Sequence, residues 1–380
     1  MTIHVWVPDY ALVGGGIQTF SRFMQRALRD LFPQARICVF SKNDISVPAR
    51  DDDVSDAFTA FGWWKIPLRT VAFSAGIIGR ALQDRPDLII STHVNFSPAA
   101  RSLQKFGSFP YLVVGHGVDI WEAPNASVRR ALREAPALVA VSEFTKEKMA
   151  TAVGAPVGAI QVLPNTFDPE VFVPGPKPRF LLKRYGLYSE QPVILTIARL
   201  ASADRYKGYD EILRALPSVR QRFPDLRYVL GGKGPDEDRI EELINELGVA
   251  ENVILAGYVP DHELREHYNL CDVFAMPSKG EGFGIVFIEA IACGKPVVAG
   301  NKDGSVDAVL NGKIGALVDP EDVGELSATL IQILEGRHPN SVLRDPAELR
   351  RKVIEAYGYQ KFKQRLGGIV APFLKTTDGR

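Results

Sequence analysis

The sequence has little cysteine, no excess of either charge and no long apolar run, and each of these absences excludes a class of protein. Its 380 residues include only three cysteines, Cys38, Cys271 and Cys293, which lie too far apart for a disulfide framework or a zinc site. They are predicted to be reduced core residues. Lys plus Arg and Asp plus Glu each number 45, whereas a chain that binds phosphate backbones should be basic, so no nucleic-acid partner is expected.

Segments that would target or span a membrane are also lacking. The first residues have no basic region followed by a long apolar one, so they are predicted to form a strand and not a signal peptide. The longest weakly polar stretch, residues 71–79, is far shorter than the ~20 residues that span a bilayer. The protein is therefore expected to be cytoplasmic, or at most peripheral on the inner face of a membrane.

Short apolar runs alternate along the chain with stretches of helical spacing, such as residues 17–31 and 209–223. Continuous Val/Ile/Leu runs are typical of parallel strands buried on both faces, so the chain is predicted to be α/β. Six runs fall in each half, and they are residues 3–7, 36–40, 88–91, 111–114, 138–141 and 160–163, then 193–198, 227–230, 253–256, 273–276, 296–299 and 316–318.

The length suggests two domains at roughly 150 residues each, and a stretch with five prolines at residues 164–178 marks the boundary. We expect an N-terminal Rossmann-like domain over residues 1–170, completed by a C-terminal helix over 357–380. A linker follows over 171–190, and a C-terminal Rossmann-like domain covers 191–356. The two six-stranded parallel sheets are expected to face a central cleft, with ligands at the carboxyl ends of the strands.

Two candidate groups follow strands of the first half. Gly14, Gly15 and Gly16 lead into a helix, where backbone N–H groups could approach an anion, although a loop that needs positive φ explains them equally well. Thr19 stands where the third glycine of the dinucleotide-binding fingerprint belongs, which weakens a nicotinamide enzyme. His116 lies between two glycines and is interpreted either as a binding group or as a structural histidine.

The second half carries stronger signals. Arg199 and Lys207 leave one predicted strand together and suit a diphosphate, although two solvated cations are the alternative. Residues 278–289 form a glycine-rich turn and a helix, with Glu281 in the turn and Glu289 in an otherwise apolar helical stretch. A buried glutamate needs a polar partner, which a ribose or a structural hydrogen bond would supply. Two carboxylates next to free N–H groups suit a sugar and a phosphate.

The E-x7-E spacing of Glu281 and Glu289, in the run EGFGIVFIEAIACGKPVVA, resembles the retaining glycosyltransferases of family 4, which have the two-domain GT-B fold. Further segments fall in that family's order and spacing over nearly the whole chain. These are residues 14–16, His116, residues 141–143, residues 164–165, Arg199 with Lys207 and Gly208, and residues 257–259.

The resemblance implies a transferase that moves a hexose, of mannose, glucose or N-acetylglucosamine type, from a GDP- or UDP-sugar to a sugar or lipid-linked glycan, in cell-surface polysaccharide or glycoconjugate synthesis. It implies the following roles for residues of this sequence: Arg199 and Lys207 on the donor diphosphate, Gly15 and Gly16 approaching the same phosphates, Glu281 on the transferred sugar, N–H groups of Phe283, Gly284 and Ile285 around sugar and phosphate, Glu289 on the ribose, Tyr258 and Val259 at the base, and His116 over the reacting sugar.

In the resembling family the donor's own phosphate takes the acceptor proton, and no protein nucleophile is needed. With Arg199 and Lys207 present no metal is needed either, and no cofactor is expected. Two departures put details of acceptor and linker in doubt. Residues 165–168 read NTFD where many relatives have NGVD, and residues 303–307 read DGSVD where GGxxE is common. An epimerase-like enzyme, a phosphorylase and a non-catalytic glycan-binding relative are the alternatives. The E-x7-E spacing argues against an epimerase, and the chain is short for a phosphorylase. The phosphate-binding cations and Glu281 are retained, which argues against a non-catalytic relative.

Weaker signals remain. Residues 51–53 satisfy the D-x-D of metal-dependent glycosyltransferases, but they lie in a polar loop and are interpreted as a solvated acidic run. His93 could face an acceptor or the edge of the core. In residues 61–85, Trp63 and Trp64 stand beside basic residues, which suits a membrane surface, while burial against the first domain's sheet is the commoner explanation. The sequence leaves the oligomeric state open.

Overall fold

The computed structural model describes residues 1–10, 15–46, 55–121 and 124–374. It divides the chain into two compact units. The first consists of Met1–Thr166 together with Tyr359–Arg380, and the second of Phe167–Gly358. Gly14 and the acidic run at residues 51–53, both singled out in the sequence, lie outside the described residues.

Each unit is built on a parallel sheet. In the described part of the first unit the strand order is β3-β2-β1-β4-β5-β6-β7, and in the second it is β10-β9-β8-β11-β12-β13. The strands are β1 (Thr2–Val7), β2 (Arg36–Ser41), β3 (Ala57–Ala60), β4 (Leu88–Ser91), β5 (Tyr111–Gly115), β6 (Ala137–Ala140), β7 (Ile160–Val162), β8 (Val193–Ile197), β9 (Arg227–Gly231), β10 (Val253–Gly257), β11 (Val273–Met276), β12 (Val297–Gly300) and β13 (Ala316–Val318).

Helices connect the strands in both units. They are α1 (Gly16–Leu31), α2 (Ile66–Asp84), α3 (Ser97–Gly107), α4 (Val118–Trp121), α5 (Ala126–Arg133), α6 (Glu143–Val153), α7 (Arg179–Tyr185), α8 (Tyr209–Arg222), α9 (Glu237–Glu246), α10 (Leu264–Leu270), α11 (Ile285–Ala292), α12 (Ser305–Ala308), α13 (Val323–Leu334), α14 (Pro346–Tyr357) and α15 (Tyr359–Val370), with short 3₁₀ turns that include Ser202–Lys207. Across the described ranges, no helix combines the length and the apolar character needed to cross a bilayer.

The alternation of buried strands and helices confirms the predicted α/β fold of two parallel sheets. The central strands are buried throughout, as β4 and β12 illustrate, because helices cover both faces of such a sheet. In each sheet the chain reverses its strand order once, between β1 and β4 in the first unit and between β8 and β11 in the second. Open α/β sheets bind their ligands at the carboxyl ends of the strands at such a switch point.

Two expectations about the fold are corrected. The first sheet has seven strands in its described part and not six, because the short edge strand β3 is only half-buried and shows no continuous apolar run. Residues 171–190 do not form a separate linker. They belong to the second unit, carry α7 and bury Leu181. Within that segment the Lys177 ammonium lies 2.7 Å from a carboxylate oxygen of Asp272, which ties it to β11.

The end of the chain packs on the first unit. Helix α15 lies against α1, where the rings of Phe362 and Phe20 meet edge to face with centroids 5.7 Å apart. The Tyr359 hydroxyl donates to a carboxylate oxygen of Asp30 at 2.8 Å. Apolar contact and a hydrogen bond therefore both anchor α15.

Candidate active site

The second unit gathers most of the candidate residues at its switch point. Strands β8 and β11 pair in parallel there, with Val273 opposite Ile194. The turn after β8 carries Arg199 and Lys207, and the turn after β11 carries Glu281. Because neighbouring parallel strands end at one edge of the sheet, residues far apart in sequence meet above that edge.

Lys207 and Glu281 form a direct ion pair between the Lys207 Nζ and the Glu281 Oε1. Both side chains are largely buried, with 18% and 15% of their surface exposed. Burial by itself lowers the pKa of Lys207, but the adjacent Glu281 carboxylate outweighs it and holds the net pKa above its ordinary value. The lysine is therefore charged over the whole physiological pH range.

Arg199 is held by a second carboxylate. Its Nε and Nη2 donate to the two oxygens of Asp204 at 2.6 and 3.1 Å, and these bonds raise the pKa of the guanidinium. Asp204 is buried, whereas 73% of the Arg199 side chain is exposed. A two-point grip of this kind fixes a guanidinium plane, and its remaining N–H groups are available to an anion.

Tyr206 is close enough to both ion pairs to feel their charges. Burial raises the pKa of its phenol, and the charges of Lys207, Glu281, Asp204 and Arg199 all act on it. The Lys207 ammonium lies 5.3 Å from the centre of its ring. The two cations therefore lie in one neighbourhood, each beside its own carboxylate.

The turn over residues 278–284 leads into the N-terminus of α11. Gly284 is the residue before the helix and has φ +87°, a left-handed conformation that favours glycine. The first two N–H groups of α11, those of Ile285 and Val286, have no partner inside the helix, an arrangement that suits an anion. Phe283 anchors the turn, since its buried ring meets that of Tyr357 edge to face at 5.1 Å.

Glu289 lies just over one turn into α11 and is buried. The Tyr268 hydroxyl donates to Glu289 Oε2 at 2.7 Å. Burial nevertheless raises the pKa of this carboxyl to about 7, since a charge loses hydration in the interior. Glu289 is therefore a carboxyl that changes charge near neutral pH and already has one hydrogen-bond donor.

Residues 257–259, expected at the base, follow strand β10. Gly257 ends the strand and accepts a hydrogen bond from the Gly232 N–H at 2.7 Å. Tyr258 is exposed and Val259 is buried. The ring of Tyr258 is thus exposed to solvent directly after β10, the edge strand of this sheet.

In the first unit, Gly15 and Gly16 join strand β1 to helix α1. Gly15 precedes the helix with φ −169°, an extended conformation open to any residue, so its backbone does not require glycine. The atom that a Cβ would approach most closely is the movable Gln18 Oε1, at 2.6 Å. The positive-φ alternative is therefore wrong for Gly15, and α1 is the helix that follows the switch strand β1 in the chain.

His116 follows strand β5 in the same unit. Its Nε2 lies 3.0 Å from the Thr92 carbonyl oxygen, which can only accept, so Nε2 carries the proton. Burial lowers the pKa of the ring to about 4. The backbone N–H groups of His116 and Gly117 donate to Asp119 Oδ1 at 2.9 and 2.8 Å. His116 is therefore a neutral, oriented imidazole whose Nδ1 is a hydrogen-bond acceptor.

His93 lies at the carboxyl end of the switch strand β4. Its Nδ1 accepts from the Asn95 N–H at 3.2 Å. Burial lowers the pKa of its ring, and Asp119 and Asp9 are among the charges that act on it. The histidine is half-buried.

The interpretation of Trp63 and Trp64 as buried is wrong, because 75% and 51% of these residues are exposed. They precede α2, which packs on the sheet through Phe73 and Ile77. The opposite face of α2 is apolar as well. It consists of Leu68, Val71, Ala75, Gly79 and Leu82, all of them exposed.

Sequence reasoning missed three side chains that hold candidate residues. They are Asp204 on Arg199, Tyr268 on Glu289, and Asp303, which accepts a hydrogen bond from the Glu281 N–H at 2.7 Å. Asp204, five residues after Arg199, is close enough in sequence to suggest a pair. Nothing in the spacing of the other two marks their partners.

The described residues offer one group of potential metal ligands, and it lies elsewhere in the first unit. His4, Cys38 and Asp84 approach one another there. Nitrogen atoms of Arg36 and Arg80 lie 3.7 and 3.6 Å from Asp84, so its carboxylate already has cationic partners. The group does not include any of the candidate site residues.

Comparison with known proteins finds similar glycosyltransferases. A GDP-mannose-dependent alpha-(1-6)-phosphatidylinositol monomannoside mannosyltransferase of Mycolicibacterium smegmatis is 38% identical over 230 residues, which cover 58% of this chain and 59% of that protein. The match thus spans less than two thirds of that relative. A GDP-mannose-dependent monoacylated alpha-(1-6)-phosphatidylinositol monomannoside mannosyltransferase of Corynebacterium glutamicum is 26% identical, over 84% of this chain and 85% of its own.

Solved structures share the fold over nearly the full length. Sucrose-phosphate synthase from Thermosynechococcus elongatus has a TM-score of 0.82 at 20% identity, with 98% of each chain covered. The Anabaena protein HepE, in complex with UDP-glucose, has a TM-score of 0.79 at 20% identity, with 98% of this chain and 100% of its own covered. At these identities the likeness shows the fold alone.

Two family models together match most of the chain. The model described as Glycosyltransferase Family 4 matches residues 14–171, and the model described as Glycosyl transferases group 1 matches residues 179–357. Each match falls largely within one structural unit. The chain belongs to the GT-B glycosyltransferases of family 4.

Proposed function

We propose that the protein transfers a hexose from a nucleoside diphosphate sugar to a sugar or lipid-linked glycan, with retention of anomeric configuration and without a metal ion. The observation that carries this proposal is the convergence of Arg199, Lys207 and Glu281 at the switch point between β8 and β11. Two permanent cations beside a helix N-terminus suit a diphosphate.

The two cations would stabilise the charge that develops on the leaving diphosphate. Lys207 has three N–H donors, so it can keep Glu281 and still donate to a phosphate oxygen. Arg199 is already oriented by Asp204 and keeps N–H groups toward solvent. Because both cations are held before any ligand binds, little reorganisation is needed when charge develops.

Glu281 would accept hydrogen bonds from hydroxyl groups of the transferred sugar, and Glu289 from the ribose. Phe283, Gly284 and Ile285 would offer N–H groups to sugar and phosphate, and Tyr258 and Val259 would border the base. In the first unit Gly15, Gly16 and His116 keep the roles that the resemblance implies. A neutral His116 that donates from Nε2 to Thr92 can accept a hydrogen bond from a sugar hydroxyl at Nδ1.

GDP-mannose is the proposed donor, since both mannosyltransferase relatives are named as GDP-mannose-dependent. A glycosylated phospholipid is the corresponding acceptor class. An epimerase-like enzyme is the second candidate, and it would convert the nucleotide sugar without any acceptor. A non-catalytic glycan-binding relative would bind glycans without consuming a nucleotide sugar.

A thermal-shift screen with UDP, GDP and ADP, each with and without EDTA, is the first test. A shift with GDP that survives EDTA is expected. Turnover of GDP-mannose with a lipid-linked mannoside should then give an α-linked product. The one-bond carbon–proton coupling constant at its anomeric carbon, read from the NMR spectrum, identifies this linkage. Conversion of the donor without acceptor would favour the epimerase, and an inverted product would rule out retention.

We further propose that the protein is cytoplasmic and binds an anionic membrane surface peripherally through the outer face of α2. This face is apolar and continuous along the helix, and it is defined as Trp63, Trp64, Leu68, Val71, Ala75, Gly79 and Leu82. Exposed Lys65 and Arg85 flank its two ends. Tryptophan beside basic residues suits the boundary of an anionic bilayer, which is where a lipid-linked acceptor would be met.

Co-sedimentation with vesicles tests this contact. The wild-type protein is expected to pellet with vesicles that contain phosphatidylinositol and to remain soluble with purely zwitterionic ones. The double variant Trp63→Ser/Trp64→Ser should lose binding. Phe180→Ser, which removes an exposed aromatic ring from the second unit, is the matched control and should bind normally. Equal sedimentation of all three proteins would refute the membrane contact.

A further inference from the structure

Asp303 is a completely buried carboxylate next to the candidate active site. It lies in the turn between β12 and α12, at a position where the resembling family commonly has glycine. Neither the resemblance nor the family matches give it a role. A buried ionised carboxylate is costly unless all of its lone pairs find donors.

All four expected hydrogen bonds to Asp303 are present. Oδ2 accepts from the Ser278 hydroxyl at 2.8 Å and from the Glu281 N–H at 2.7 Å. Oδ1 accepts from the Ser305 N–H at 2.9 Å and from the Ser305 hydroxyl at 2.5 Å. One oxygen thus serves the turn after β11, and the other serves the start of α12.

Gly304, the residue after Asp303, also binds the backbone of Glu281. The Gly304 N–H donates to the Glu281 carbonyl at 2.8 Å, so both backbone polar groups of Glu281 are bound by one dipeptide. A Cβ on Gly304 would lie 2.1 Å from the Gly282 carbonyl oxygen, which shows how closely the two turns approach. The backbone of Glu281 therefore has little freedom, although it belongs to a glycine-rich turn.

We infer that Asp303 is a positioning residue that holds Glu281 in place to meet Lys207 and the transferred sugar. The inference rests on the proposed function, because Glu281 is its point of action. Without Asp303, the turn would keep its glycines and lose two of the bonds that fix it. The Glu281 carboxylate would then sample several positions, and a misplacement of about 1 Å in an active site lowers the rate by up to about 10²-fold.

The test compares Asp303→Ala, Glu281→Ala and the double variant in the full-length protein. Asp303→Ala should lower kcat about 10- to 10²-fold and change the Kd for GDP much less, because Arg199 and Glu289 keep their own partners, Asp204 and Tyr268. In the Glu281→Ala background, removal of Asp303 should lower kcat little further. Losses that multiply in the double variant, or a wild-type kcat in Asp303→Ala, would overturn the inference.

Asp272→Ala is the matched control for general destabilisation. Asp272 accepts from the Val193 N–H at 2.8 Å and from Lys177 at 2.7 Å, at the start of β11 and thus at the other end of the sheet. Its variant should melt at a lower temperature and keep its kcat. If Asp303→Ala does not fold, Asp303→Asn replaces it. In either orientation the NH₂ of the introduced amide faces groups that donate to Asp303 in the wild type. A fall in kcat is therefore again expected, and a wild-type kcat would refute the positioning role.

Hydrogen exchange separates this inference from the proposed function. The amide of Glu281 should exchange faster in Asp303→Ala than in the wild type or in Asp272→Ala, whether or not the protein turns over GDP-mannose. A wild-type protein with no activity on any nucleotide sugar would refute the proposed function alone. Unchanged exchange over residues 278–284 would refute the positioning role alone.

Discussion

The buried carboxyl of Glu289 gives a prediction about how nucleotide binding depends on pH. Its ordinary pKa is 4.5, and burial raises it to about 7. At about 1.4 kcal/mol per pKa unit, the ionised form therefore costs about 3 kcal/mol in the folded protein. A ribose that donates two hydroxyl hydrogen bonds needs the ionised form. Nucleotide affinity should therefore rise with pH through 7.

The size of this effect follows from the pKa. With a pKa of about 7, roughly a tenth of Glu289 is ionised at pH 6 and roughly nine tenths at pH 8. We expect the Kd for GDP-mannose to fall about tenfold over this interval. GDP-mannose is the suitable ligand because both of its phosphates are esterified and do not titrate there. Isothermal titration calorimetry in buffers of matched ionic strength measures the change.

Two variants test whether Glu289 is the source. Glu289→Gln cannot ionise and should show weak binding that is nearly constant from pH 6 to 8. Tyr268→Phe removes the donor to Oε2, and this hydrogen bond lowers the pKa of Glu289, so the midpoint of its binding curve should move above 7. A wild-type affinity that is flat over this interval, with Glu289→Gln binding equally well, would refute the reasoning.

The same shift predicts a change in stability. Because the folded pKa lies above 4.5, the folded protein holds this proton more tightly than the unfolded chain does. The contribution of the protonated carboxyl to stability is complete below pH 4.5 and is lost as the pH rises to about 7. Without ligand, the free energy of unfolding of the wild type should therefore fall relative to that of Glu289→Gln as the pH rises from 5 to 8. The difference between the two proteins should change by at most about 3 kcal/mol, as measured by urea unfolding at the two pH values.

Further predictions concern the charged pair and the histidine. Lys207→Ala and Glu281→Ala should each lower kcat on the order of 10²-fold, as measured by donor turnover. Lys302→Ala, which removes a lysine paired with Glu321 and Asp319 on the surface, should not. His116→Ala should lower kcat and leave the Kd for GDP nearly unchanged. A wild-type kcat in this variant would show that His116 takes no part in the reaction. Because the pKa of His116 is lowered to about 4, kcat should show no titration of this group between pH 6 and 8.

Much of the fold could be predicted from the sequence. All twelve apolar runs that were interpreted as strands are strands, with ends that differ by a few residues at most. They were recognisable because a strand covered on both faces leaves a continuous apolar run. Strand β3 lacked this signal, since an edge strand is half-exposed. The linker was misjudged because proline-rich chain can also pack on a domain, as residues 171–190 do.

The candidate site was predictable in its residue types and less so in its contacts. Arg199, Lys207, Glu281 and Glu289 could be selected because charged residues after buried strands are exceptional and the glycine turn marks a helix start. Their partners could not be selected in the same way. The exposure of Trp63 and Trp64 was also misjudged. They precede a helix with two apolar faces, and the sequence does not show which of these faces meets the sheet.

The sequence by itself thus determined the order of buried strands and helices, the places where strands end and the charged groups that follow them. These are local properties, recorded in residue spacing. The tertiary structure decided which groups meet. It joins Lys207 to Glu281 across 74 residues and Glu281 to Asp303 across 22. The strand order and register that set neighbouring strand ends side by side arise only when the sheet forms, because parallel strands are paired through crossovers and not through contiguous sequence.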